Sequence, residues 1–279
     1  MKRFAAVAVS LVALVGMTSC GGGGDDVIGS PSGPSAEGYY AGNLVVTANP
    51  PVVNNPTLPN SSTSFQMLVL ENGQFWTFYG TPSGTALRVE GFAQGAGTSN
   101  GTLLFASGVK NFPKPPLAGG NAIASVSYNA SAKSLSGSIT DATSSSTLTS
   151  VAQGAQAFNY STASALSSVS FAWTMSGLDG DQFNVVIDGA GVVTGTPVAP
   201  ATCGFTGSVT PRGTGKNVFN VSLTNSAFPD CTFGGLVSTG VAYVAPLVGG
   251  GNQLSLATVA PNPNTPSATV GLALWGVRP

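Results

Sequence analysis

The chain has 279 residues, 42% of them apolar and only 7% charged, with a formal net charge of −1 and no histidine. That balance excludes a basic nucleic-acid footprint and a polybasic membrane-surface patch, and so much apolar character is not a disorder signature. The missing histidine removes Ser-His-Asp and Cys-His catalysis and every His-ligated metal site.

Met1-Lys2-Arg3 is a short basic start, and Phe4 to Val15 is an apolar run of mostly Ala, Val and Leu. The run is shorter than the roughly 20 residues of a membrane-spanning helix and has the layout of a secretory signal. Met17-Thr18-Ser19-Cys20 then resembles the lipobox of bacterial lipoproteins, with Met17 in place of the usual Leu. The resemblance implies a signal peptide over residues 1–19. It also implies lipidation of Cys20 by a diacylglyceryl thioether and an amide-linked, palmitate-type chain. Several acyl chains anchor stably where one binds only marginally. Residues 20–37, rich in Gly, Ser and Pro, read as a flexible tether. Gly21, where an Asp would suggest inner-membrane retention, favours an outer-membrane location, periplasmic or surface-facing.

Removing signal and tether leaves about 240 residues, enough for one large all-β domain or two small ones. Gly38 to Val46 is a first strand, and the Pro-rich stretch Asn49 to Pro59 a loop. Phe65 to Leu70, Asn72-Gly73 and Gln74 to Tyr79 form the clearest hairpin, because Asn-Gly supplies the positive φ of a tight turn. Strands follow at Arg88 to Gly95, Thr102 to Ser107, Ile123 to Tyr128 and Lys133 to Thr140. Thr143 to Thr149 reads as a Ser/Thr-rich break. The halves are divided as residues 38–150 and 151–279.

In the second half Ser168 to Ser176 is a strand with Phe171, Trp173 and Met175 on one face. Asp181 to Asp188 and Val192 to Pro197 form a hairpin. Thr202 to Thr210 and Asn217 to Thr224 form another, the latter alternating apolar Phe219, Val221 and Leu223 with polar residues. Gly240 to Ala245, Leu254 to Val259 and Ala268 to Gly276 complete the set. The fold class is all-β: antiparallel meanders forming a barrel-like or sandwich body, in two halves that look related. Val69 to Phe75 matches Val186 to Val192 in plan, and Gly91 to Gly95 matches Gly204 to Ser208. A shared meander accounts for this, as does chance in a low-complexity chain. An integral outer-membrane barrel fits less well, since the strands are short and a lipid anchor would be redundant.

With Cys20 assigned to lipid, Cys203 and Cys231 remain as a pair. Export would place them in an oxidising compartment, where such a pair bridges; two buried thiols are the alternative. Gly213-Thr214-Gly215-Lys216 fails the phosphate-loop spacing and reads as a hairpin turn. Asp179-Gly180-Asp181 and Asp188 lack calcium-loop spacing and read as turn residues. Glu71, Glu90, Asp141, Asp179, Asp181, Asp188 and Asp230 offer no evident glycosidase pair. No catalytic residue, metal or cofactor is therefore expected. Phe75-Trp76-Thr77-Phe78-Tyr79 carries aromatics on both faces, so one face should be exposed unless the sheet is covered. Trp76, Phe78 and Tyr79 are the candidate ligand contacts.

As a whole the chain resembles the small β-rich lipoproteins of proteobacterial envelopes. The likeness lies in Met17 to Cys20, the Gly/aromatic strand starts and the run from Cys203 through Pro211 to Phe219 to Cys231. Some surface lipoproteins of that broad kind, the transferrin-binding type among them, grip partners with small barrels, but no residues match that family. The expected function is a non-catalytic binding or adhesion module holding a protein or glycan ligand. The alternative is a structural envelope component with no private ligand. Replacing Cys20 with Ser should release the chain from membranes or stall its processing. Unchanged membrane fractionation together with unchanged metabolic lipid labelling would sink the lipoprotein reading.

Overall fold

The computed structural model describes residues 35–48, 62–114, 119–151, 158–227, 231 and 233–278. Cys20, Asp230 and the Pro-rich loop lie outside the described residues. The first half comprises β1 (Gly38–Ala48), β2 (Ser62–Val69), β3 (Gln74–Ser83), β4 (Ala86–Ala96), the two-residue β5 (Thr98–Ser99), β6 (Leu103–Pro113), β7 (Gly120–Asn129), β8 (Ser134–Asp141) and β9 (Ser144–Ser150). The second comprises β10 (Ala172–Gly177), β11 (Gln182–Ile187), β12 (Val192–Pro197), β13 (Phe205–Pro211), β14 (Phe219–Asn225), β15 (Val237–Pro246), β16 (Asn252–Asn262) and β17 (Thr265–Arg278). The only helical turn among the described residues is a 3₁₀ turn at Leu166–Ser168.

Every pairing is antiparallel and each half closes on itself. In the first, β1 pairs with both β2 and β9, and β4 with both β3 and β6, so the ring runs β1-β2-β3-β4-β6-β7-β8-β9. In the second, β10 to β17 follow in order and β17 returns to β10. The body is therefore two eight-stranded up-and-down barrels, and closure removes the sheet edges that would otherwise invite pairing with other chains.

The stretch Thr143 to Thr149, expected as a break, is instead β9, the strand that closes the first barrel. Its hydrophobic alternation is invisible because Leu148 is its only large apolar side chain; Ser144 takes another buried position. Strand β7 shows the ordinary pattern, with Ala122, Ala124, Val126 and Tyr128 buried and the residues between them exposed.

Side chains fill both interiors. Tyr40, Leu44, Phe65, Met67, Phe75, Leu104, Val126 and Leu148 belong to the first core. Trp173, Met175, Val185, Phe205, Phe219, Leu223 and Leu256 belong to the second. At inward-facing Gly42 and Gly240 a Cβ would lie 2.1 and 1.9 Å from a carbonyl oxygen of the neighbouring strand, so these narrow barrels coil where only glycine fits. Each barrel is also plugged by the residue four before a buried aromatic. Tyr40 Oη donates to Ala36 O at 2.8 Å, and Trp173 Nε1 donates to Val169 O at 2.9 Å. Ala36, at the end of the segment read as tether, is thus part of the body.

A third apolar cluster lies between the barrels. Leu68, Trp76, Phe78, Leu87, Val89, Phe92 and Phe112 of the first meet Val241, Tyr243, Ala245, Ala257 and Ala273 of the second, with Phe158 and Tyr160 of the connecting segment among them. A bulge allows β4 to contribute along its length. Tyr79 pairs with Gly91 but Gly80 with Val89, so Glu90 is the extra residue, and Leu87, Val89 and Phe92 all face outward. Phe92 stacks on Phe112 with centroids 4.4 Å apart, and a Cβ on Gly271 of β17 would sit 2.5 Å from the Phe92 ring. Beyond the reach of β6, the backbone of Leu87 is completed from the other barrel. Gln253 Oε1 accepts from Leu87 N at 2.8 Å and Gln253 Nε2 donates to Leu87 O at 2.7 Å.

Phe92→Ala should therefore lower the stability of the whole body by about 3–5 kcal/mol, the usual cost of truncating a buried Phe. Urea unfolding is the measurement, and a loss below about 1 kcal/mol would show that the seam contributes little.

Candidate functional site

Period 2 on β3 decides the fate of the aromatic run. Phe75 and Tyr79 turn into the first barrel, and Trp76 and Phe78 turn outward. The second barrel covers that outward face. Phe78 is 0% exposed and Trp76 3%, so the sheet is covered, the condition under which neither aromatic face need be exposed. Phe78 meets Tyr243 edge-on with centroids 5.5 Å apart. Tyr79 is half-buried and donates through Oη to Asn111 Oδ1 at 2.8 Å, while Asn111 Nδ2 donates to Asp141. Of the three candidate contacts, Trp76 lines a crevice.

That crevice, about 420 Å³, runs along the seam. One wall is the outer face of β3 and β4: Gln74, Trp76 and Gln94. The other is the outer face of β13 to β16, in two cross-strand rows. Thr210 pairs with Asn220 and Asn220 with Val241; Ser208 pairs with Ser222, Ser222 with Thr239 and Thr239 with Val259. Neighbours within a row are about 4.8 Å apart and the rows about 6.8 Å apart, so the wall is a lattice of hydroxyls and amides. The indole N–H of Trp76 is buried and has no hydrogen-bond partner among the described residues.

Arg212, the guanidinium in this lining, is already engaged. Its Nε donates to Glu71 Oε1 at 2.8 Å, its Nη2 lies 2.7 Å from the same oxygen, and its Nη1 donates to Asn220 Oδ1 at 2.8 Å. Burial alone would raise the Glu71 carboxyl, but the hydrogen-bonded guanidinium, with Lys216 behind it, holds it below its ordinary value. Lys216 in turn pairs with Glu37 at 2.6 Å and lies over the Tyr160 ring. Both cations flank the turn between β13 and β14, where Arg212 N donates to Val218 O and Gly215 has φ of 74°. The Gly213 to Lys216 run is thus a hairpin turn that clamps the second barrel to Glu37 and Glu71 of the first.

Four other acids have structural partners. Glu90 pairs with Arg88, Asp141 accepts from Thr143 and Ser144 in the turn before β9, and Asp179 and Asp188 accept backbone N–H groups in tight turns. Among the described residues no three His, Cys, Asp or Glu side chains gather as a metal site. Cys203 and Cys231 are bridged, with Cα atoms 5.4 Å apart. Cys203 lies just before β13 and Cys231 after β14, so the bridge ties that hairpin at one end of the second barrel. Gln74, Gln94, Asn220 and Thr239 carried no sequence signal: they come from four strands of two barrels and are ordinary outward-facing polar residues. No family model, curated protein or solved structure matches the chain.

The Glu71–Arg212 contact has a defined pH dependence. The folded carboxyl titrates below its ordinary value of 4.5, so the contact's stabilisation is present above that value and is lost as pH falls through the folded one. Glu71→Gln should destabilise at neutral pH, and the gap to the unmodified chain should narrow at acid pH, as pH falls through the lowered folded value. Urea midpoints at the two pH values measure this; an equal gap at both would dismiss the ionic contribution.

Proposed function

We propose that the chain is an outer-membrane lipoprotein, anchored through Cys20, whose fused barrels form a non-catalytic binding module with the seam crevice as its site. The crevice carries this reading. It is a concave space of about 420 Å³, within the usual size range of ligand sites, lined by amide and hydroxyl groups of the two barrels and by Trp76. The lining holds no carboxylate, so it offers hydrogen bonds and no side-chain base for proton transfer at neutral pH. The anchor rests on Met17 to Cys20 and on the Gly/Ser/Pro segment after it, which would hold the barrels away from the lipid.

A structural envelope component is the second reading, favoured by the filled barrel interiors and the covered aromatics. One experiment separates them. The chain carrying Cys20→Ser, with Ala36 and Glu37 retained because they belong to the body, is immobilised and exposed to solubilised envelope proteins and polymers. The binding reading expects specific capture that is lost when exposed Thr239 is replaced by Arg to fill the crevice. Absence of any specific capture would leave the structural reading.

A further inference from the structure

We infer that the seam crevice selects an uncharged polyol, a short neutral oligosaccharide segment; this rests on the binding-module reading above. Three features of the lining define the ligand class. The first is charge. Arg212 is neutralised by Glu71 at 2.7 Å and hydrogen-bonded to Asn220, so the crevice holds no free charge to compensate an anion or a cation brought out of water.

The second is the kind of polar group. Gln74, Gln94 and Asn220 each carry donors and an acceptor, and Ser208, Thr210 and Thr239 carry hydroxyls that do both. A ligand whose own groups are both donor and acceptor, repeated every few ångströms, satisfies such a lattice, and a chain of sugar hydroxyls is that ligand. Val259, at the end of one polar row, adds apolar surface, as the C–H faces of a sugar ring require.

The third is what the crevice lacks. A peptide would gain most from an open sheet edge, and both barrels are closed. The backbone of Leu87, the edge left beyond β6, is taken by Gln253.

The test uses the full-length chain in a detergent without a sugar headgroup. It is presented to an array of neutral and acidic oligosaccharides and to neutral Ser/Asn-rich peptides, and hits are followed by titration calorimetry. The expected result is binding of neutral oligosaccharides. Gln94→Ala and Asn220→Ala should each weaken it about three- to ten-fold, the range for loss of one hydrogen bond. Thr239→Arg should abolish it. The urea midpoint of the exposed Thr239 variant should match the parent, separating loss of binding from loss of fold. Preference for acidic sugars or for peptides overturns the ligand class, and neutral-sugar binding that survives Thr239→Arg overturns the site. If no sugar binds but envelope capture still depends on Thr239, the polyol inference falls and the binding module stands; if neither occurs, both fall.

Discussion

Strand β3 carries large side chains on both of its faces, and the two-barrel body follows from that constraint. A barrel strand can bury one face against its own interior; the other must meet water or another element. With Phe75 inside, Trp76 and Phe78 point outward, joined by Leu68 of β2 and Phe92 of β4 into an apolar sector too large to leave exposed on a soluble barrel. The second barrel supplies the complementary sector through Val241, Tyr243, Ala257 and Ala273, and the two alanines leave room for the large aromatics to approach. Burial of this sector holds the barrels together, and the crevice lies beside it between β3 and β4 of one barrel and β13 to β16 of the other.

The two barrels repeat one plan at the level of single contacts. The β2–β3 and β11–β12 turns use the same bonds: Gly73 N to Leu70 O and Leu70 N to Gln74 O in one, Gly191 N to Asp188 O and Asp188 N to Val192 O in the other. In both, the turn glycine's carbonyl then accepts from the fourth strand's end, from Gly97 N and from Val209 N. Tyr40 over Ala36 and Trp173 over Val169 show the same correspondence at the first strand of each ring. Equivalent hydrogen bonds at equivalent ring positions are hard to assign to compositional chance, which was the competing account of the sequence likeness.

What could be read in the sequence follows the visibility of side-chain contrast. The all-β class, the Asn72-Gly73 hairpin and the pairing of Cys203 with Cys231 each rest on strong local signals: period-2 alternation, a turn dipeptide, two cysteines flanking one meander. Strand β9 was missed because serine can occupy an inward position in a narrow barrel without leaving a hydrophobic mark. The aromatic run of β3 was correctly seen to be two-faced, yet its partner could not be found, since outward apolar residues on β15 to β17 look like any half-buried strand. The crevice was illegible for a further reason. Its polar residues are outward positions of separate strands, and only the docking of one barrel on the other makes them face each other.

The scarcity of charge gives the few ion pairs a specific role. Hydrophobic contact between two barrels is tolerant of rotation and sliding, whereas charge pairs fix register more than they add affinity. Arg212 and Lys216, four residues apart on one hairpin of the second barrel, pair with Glu71 and Glu37 of the first, and Tyr160 of the connecting segment lies beneath Lys216. Displacing the hairpin would leave half-buried charges without partners, which costs more than the pairs contribute when formed. In a chain with 7% charged residues there are few alternative partners to accept them. The apolar sector therefore makes the barrels associate, and these two pairs decide how. The shape of the crevice beside Arg212 follows from the second effect as much as from the first.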